Sequence, residues 1–304
     1  MTSLKQKIVG LKIDVDTERG TRIGALNLMH LLNERDLKAT FLFSMGPDNT
    51  GRAIRRIFQP GFFQKVSRTS VLKVYGIRTL LNGLLGNGPH IGKRHGSIMR
   101  EIAAAGHEVG VHCYDHNAWQ DKLSSWTEAR TREEVNHAVS AFTHVFGRRP
   151  RTMGSAGWQA NKASLSAYDE HSLAYASDTR GTKAFYPIVN RRTFKTLQIP
   201  TTLPTLDELI GRPEYPTDQL INVYHEHIKN QSLNVLTIHA ELEGMSYIDW
   251  FTNFLDDSIA KGITFIPVET IANDLLKEKE LLQELPMVQG AIDGRSGTLA
   301  MHAR

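Results

Sequence analysis

Apolar and polar positions divide the chain into short buried runs separated by amphipathic stretches. Residues 8–15 are rich in β-branched side chains and end in carboxylates, which predicts a buried strand. Residues 20–37 then place Ile23, Leu26, Leu28, Met29, Leu31 and Leu32 at helical spacing, and 39–44 form a second apolar run. Strand, helix, strand in so short a span is the pattern of a parallel sheet. The alternation resumes with a short helix over 98–105, a strand over 107–112 and a long amphipathic helix over 126–146, which Gly147 and Pro150 stop. Weaker strands are predicted near 174–177, 185–189 and 195–200, then a helix over 217–229 and a clear strand over 234–239. A helix over 246–260 with Ser246 as its N-cap, a strand over 263–267 and a helix over 269–282 follow. The segment 286–304, punctuated by Gly290, Gly294 and Gly297, is expected to be irregular and to drape over the body. Alternation over the whole length predicts one α/β domain, residues 1–304, built as a barrel. In such barrels chemistry collects where the strands end.

Charge changes this picture in one place. Of 36 basic residues, ten fall between Asp48 and Glu101, a stretch without any acidic residue. The rest of the chain carries 26 basic against 32 acidic residues, a mildly acidic body with one basic segment. That distribution argues against a nucleic-acid-coating protein. One cysteine, Cys113, excludes an internal disulfide framework and suits a reducing compartment; as a lone cysteine on a buried strand it is given no chemical role. Lysines interrupt the N-terminal apolar run, and no stretch approaches the length of a membrane span, so a cytoplasmic chain is expected.

Three predicted strands end in polar groups. The first ends in Asp14 and Asp16, the third in His112 followed by His116, and the late strand in His239. Carboxylate and imidazole are the usual ligands and proton carriers of a divalent metal site. Two residues apart on a strand, Asp14 and Asp16 point the same way. The alternative is structural, with Asp16 capping the next helix and Asp14 solvated. His112 and His116 have the i, i+4 spacing that one helical turn would bring to a common centre. By contrast His137, His144, His225 and His227 read as surface or core residues.

This set resembles the NodB-type polysaccharide deacetylase family: an aspartate pair on the first strand, histidines four apart, and a late Leu236-Thr237-Ile238-His239 strand. The chain departs from the common family pattern where Val15 splits the aspartates. It departs again at Gly154-Ser155-Ala156-Gly157-Trp158 and at Ser177-Asp178-Thr179-Arg180. Together with 19–22, 44–49 and 115–120, these departures resemble a branch of the family that deformylates a formamido-arabinose carried on undecaprenyl phosphate. The resemblance implies a distorted (β/α) barrel and metal-dependent amide hydrolysis, with zinc, manganese or cobalt as the ion. It also implies a role in lipid A modification and resistance to polymyxin and cationic peptides.

Carried over position by position, the resemblance makes Asp16, His112 and His116 the metal ligands, Asp14 the general base and His239 the proton donor. The split pair leaves open which aspartate is base and which is ligand. Backbone at Tyr114 is a candidate for the oxyanion and Trp158 for a pocket wall. Asp178 is a candidate for orienting His239, and Arg180 for sensing a phosphate. In the basic segment 49–100, Arg55, Arg56, Phe62, Phe63, Lys65 and Arg68 interleave cations with apolar side chains. This pattern fits contact with an anionic membrane surface, placing the chain peripherally on the cytoplasmic face of the inner membrane. A deacetylase of another N-acylated sugar, and a non-catalytic binding module using the basic stretch, are the alternatives.

Overall fold

In the computed structural model, which describes residues 7–52, 82, 86, 88–295 and 297–303, the first apolar run is strand β1, Lys7–Val15. It lies at the centre because its whole length is shared among three parallel partners. Lys12–Val15 pair with β2 (Thr40–Ser44), Gly10–Asp14 with β9 (Val235–His239), and Lys7–Gly10 with β10 (Ile263–Ile266). Burial on both faces explains the near-continuous apolar reading of these strands. From β2 the sheet runs to β3 (Glu108–Cys113), β4 (Thr152–Met153), β5 (Tyr175–Ala176) and β8 (Leu197–Gln198), all parallel. Among the described residues no ladder between β8 and β9 closes the ring. Instead Thr202 and Leu203 donate their N–H groups to the Val235 carbonyl, and Thr201 and Thr237 share a hydroxyl hydrogen bond of 2.6 Å. The result is the distorted barrel: a curled α/β sheet with helices outside.

The helix Glu128–Phe146 begins on Thr127, whose hydroxyl accepts from the Arg130 N–H, and ends where Gly147 adopts φ +67°. Two expectations are corrected at helix starts. Residues 242–246 form a π-helical turn, so the next helix is Ile248–Ala260 and Ser246 is not its N-cap. The helix expected at 98–105 begins earlier, as Ile91–Ala104, because His90 accepts from the Lys93 N–H at its start.

The tail corrects a third expectation. Residues 283–290 form β11, parallel to β6 (Phe185–Val189), and β12 (Leu299–His302) returns antiparallel on β11. The weak signal has a physical cause: β11 is largely exposed, so no apolar stripe marks it, whereas Leu299 and Ala300 are buried. β6 also pairs with the two-residue β7 (Arg192–Thr193). Arg55, Arg56, Phe62, Phe63, Lys65 and Arg68 lie outside the described residues. Among the described residues no helix is long and apolar enough to cross a membrane.

Candidate active site

Lys12, Asp14 and Asp16 occupy alternate positions at the end of β1 and beyond it, so strand geometry turns all three toward the barrel interior. Lys12 is buried there. Its Nζ donates to the Ser177 carbonyl at 3.0 Å, lies 3.7 Å from Asp14 Oδ2 and sits over the Trp158 ring. Burial pulls the Lys12 ammonium below its usual range, with Asp14 and Asp178 opposing it. Asp14 Oδ2 is thus engaged, while Asp14 Oδ1 is buried without a hydrogen-bond partner among the described residues.

His112, at the end of β3, donates from Nδ1 to the Gly154 carbonyl. A carbonyl can only accept, so the proton is on Nδ1 and the Nε2 lone pair is directed elsewhere. Nε2 lies 3.2 Å from Asp16 Oδ1, and His116 Nε2 lies 3.4 Å from the same oxygen. The two histidines are not one helical turn apart, which corrects the reading of their spacing. His112 ends a strand and His116 opens the helix His116–Lys122, and Asp115 turns the chain between them by accepting the Ala118 N–H. Residues 16, 112 and 116 bring one ligand atom each to within 4.8 Å of one another. Burial works to raise the Asp16 pKa, but His116, His112 and His239 outweigh it and hold the carboxyl well below the carboxylate range.

These residues fit a divalent ion. Two imidazole nitrogens converge on one carboxylate oxygen that is buried without a hydrogen-bond partner among the described residues. The Gly154 carbonyl fixes one imidazole in the ligating tautomer, as outer partners of metal-bound histidines do.

His239 ends β9 across the same cavity, of about 180 Å³, whose walls include Asp14, Asp16, His112, His116, Trp158 and His239. Its pKa is pushed to about 9: burial alone would lower it, but Asp207, Asp16, Asp14 and Glu243 together prevail. Trp158 meets the His239 ring edge-to-face at 6.5 Å and donates Nε1–H to Thr201 Oγ1 at 3.0 Å. Both Gly157 (φ +62°) and Trp158 (φ +53°) are left-handed, a conformation a tryptophan holds only under such fixing.

Two candidates lie elsewhere. Asp178 is fully buried and accepts from the Ser155 N–H and from Gln198 Nε2; its charge faces Lys12, so Asp207 and Glu243 take the place expected of it beside His239. Arg180 spends its guanidinium on Glu208 and on the Thr201 and Leu203 carbonyls, under the Trp158 ring. The Tyr114 ring contacts His90 and His137 along a different depression. Cys113 is buried, its thiol pushed well above its usual pKa by burial.

Sequence reasoning missed Lys12, Asp207, Glu241, Glu243 and Arg295. Glu241 Oε1 accepts from the N–H groups of Asp16 and Thr17 and from the Thr17 hydroxyl, which holds the loop that presents Asp16. Burial, with Asp16 adding to it, pushes its pKa to about 8. Glu243 Oε2 accepts the His239 N–H at 2.9 Å. Two acids directly behind a strand-terminal histidine were a readable signal.

Comparison with known proteins identifies the family and the fold. A polysaccharide deacetylase family model matches residues 3–176. A Shewanella sediminis protein named a probable 4-deoxy-4-formamido-L-arabinose-phosphoundecaprenol deformylase is 35% identical over 298 residues, 97% of this chain and 94% of its own. A Wigglesworthia glossinidia brevipalpis protein of the same name is 35% identical over 289 residues, covering 92% of this chain and 97% of that one. In fold, the crystal structure of a Mycobacterium smegmatis protein assigned as a polysaccharide deacetylase superposes with a TM-score of 0.64 at 16% identity, over 96% of this chain and 98% of the other. The chain belongs to the polysaccharide deacetylase family and is a hydrolase of amide bonds.

Proposed function

We propose that the chain hydrolyses the formamide of 4-deoxy-4-formamido-L-arabinose-phosphoundecaprenol to the free amine and formate. The observation that carries the chemistry is the convergence of Asp14, Asp16, His112, His116 and His239 on one small cavity. The substrate rests on the two relatives that bear its name at 35% identity over nearly the whole chain.

Asp16, His112 and His116 would hold a divalent ion. Such an ion supplies Lewis acidity toward a carbonyl oxygen and lowers the pKa of water. Asp14, with Oδ2 engaged by Lys12 and Oδ1 without a hydrogen-bond partner among the described residues, takes the proton of the attacking water at Oδ1. His239 delivers its proton to the sugar nitrogen as the C–N bond breaks, because an amide nitrogen leaves only as the amine. Trp158 walls the cavity and excludes water beside His239. The free amine then serves aminoarabinose addition to lipid A, which reduces surface negative charge and so resistance to polymyxin follows. The basic segment 49–100 meets the anionic inner-membrane face where the polyprenyl chain is anchored.

The test is acid release from the formamido phospholipid by purified protein loaded with zinc, manganese or cobalt. Formate is expected, with His239→Gln and Asp14→Asn each lowering kcat by about 10²–10⁴-fold. Acetate release from N-acetyl sugars without formate release would reassign the substrate.

A further inference from the structure

Among the described residues that line the cavity, Arg295 brings a guanidinium that the hydrolytic chemistry does not use. Arg295 enters from the tail, immediately after Gly294, whose φ of +84° turns the chain inward against the Glu208 carbonyl. Its guanidinium lies 4.3 Å from the centre of the Trp158 ring, on a residue that also contacts His239. Arg295 Nη1 faces Glu208 Oε1 at 3.3 Å and Asp207 Oδ2 at 3.6 Å. Nε and Nη2 make no hydrogen bond among the described residues, although the side chain is mostly buried, with 17% exposure. Glu208 is already committed at 2.5 Å to Arg180, so Arg295 shares Glu208 with a second guanidinium and has Asp207 as its other acidic neighbour, both on Nη1. An arginine whose Nε and Nη2 make no hydrogen bond among the described residues, stacked on an aromatic wall of the cavity, is suited to an oxyanion.

We propose that Arg295 binds the phosphodiester of the substrate and selects charged, lipid-linked sugars over neutral ones. This rests on the function proposed above. In a pyranose the amide at C4 and the phosphate at C1 stand on opposite sides of one ring. Here Trp158 contacts both candidate groups, the His239 ring at 6.5 Å and the Arg295 guanidinium at 4.3 Å, and both line the one cavity. Arg295 is thus a binding residue for the group that distinguishes this substrate from a polysaccharide unit.

The test compares two substrates, the formamido-arabinose phospholipid and the methyl glycoside of the same formamido sugar, with wild type, Arg295→Ala and Arg295→Lys. Formate release gives kcat/KM for each. Loss of Arg295 is expected to reduce the preference for the charged substrate by about ten- to a hundredfold, mostly through KM, with Lys recovering part of it. Equal loss on both substrates, with a lower Tm, would show that Arg295 merely pins the tail and would overturn the proposal. Wild type that releases formate from neither substrate would overturn the deformylase reading instead. In that case, calorimetric binding of farnesyl phosphate still decides Arg295: tighter binding by wild type than by Arg295→Ala supports it, and equal or no binding refutes it.

Discussion

Lys12 shows how a single residue defines the cavity. A buried ammonium is costly unless paired, and Lys12 meets Asp14 on one side and the Ser177 carbonyl on the other. Removing one partner of a buried pair strands the other. Lys12→Met is therefore expected to cost about 3–5 kcal/mol in urea unfolding. Adding Asp14→Asn to Lys12→Met should return much of that loss, a non-additivity that a double-mutant cycle reads directly. Additive losses would mean that the two side chains do not act as a pair. Lys12 also shows why sequence reading stopped short. Within an apolar run a lysine reads as an interruption, and only the period of two shared with Asp14 and Asp16 marks it as inward-facing. Asp14, Asp16, His112, His116 and His239 were legible because each sits at a strand end. Asp207 and Arg295 were not, since a single helical turn, Leu206–Leu209, and a loop are too short or too irregular to show a periodicity.

At the level of elements, the two ends of the barrel separate structure from chemistry. At the N-terminal end, Glu108 on β3 accepts from Thr40 on β2, from Tyr175 on β5 and from the N–H of Glu269 in the helix Val268–Lys277. Burial pushes the Glu108 pKa to about 7, against the opposing hydrogen bonds of Thr40 and Tyr175. An acid whose folded pKa exceeds its unfolded value keeps a proton that the unfolded chain has released. Stability therefore falls as pH rises from about 4.5 to 7 and is level above that. Glu108→Gln removes this dependence. Relative to the variant, wild type should lose on the order of 2–3 kcal/mol across that window, measured by urea unfolding at stepped pH. His107, which burial holds down at about 4, titrates in both proteins and cancels in the difference. A difference that does not vary with pH would mean Glu108 is ionised throughout. At the other end, the helical turn 20–24 meets the backbone after β9: a Cβ on Gly24 would lie 1.9 Å from the Ala240 carbonyl, and one on Gly244 2.5 Å from the Gly24 carbonyl. That close approach keeps the loops after β1 and β9, and with them Asp16 and His239, against one another. Strand positions in this frame were readable from apolar runs. The pairing of β11 with β6 was not, because an exposed strand has no buried face to mark it.

Over the whole molecule, charge and topology divide the work. The acidic body encloses the cavity, and the ten basic residues of 49–100 are gathered beside it in sequence. If that segment meets anionic lipid, binding to phosphatidylglycerol vesicles should weaken markedly in the combined Arg55→Ser, Arg56→Ser, Lys65→Ser and Arg68→Ser variant, at about 1 kcal/mol per charge. Unchanged sedimentation with vesicles would remove the membrane from the account. The central claim is that strands distant in sequence deliver Asp16, His112 and His116 to one divalent ion. Its most direct measurement is isothermal titration of chelator-stripped protein with zinc, manganese or cobalt. One ion per chain is predicted for wild type, with loss of that binding in Asp16→Asn and in His116→Ala while both variants retain their fold by circular dichroism. A stripped wild type that takes up no ion, or variants that bind it as wild type does, would contradict the account.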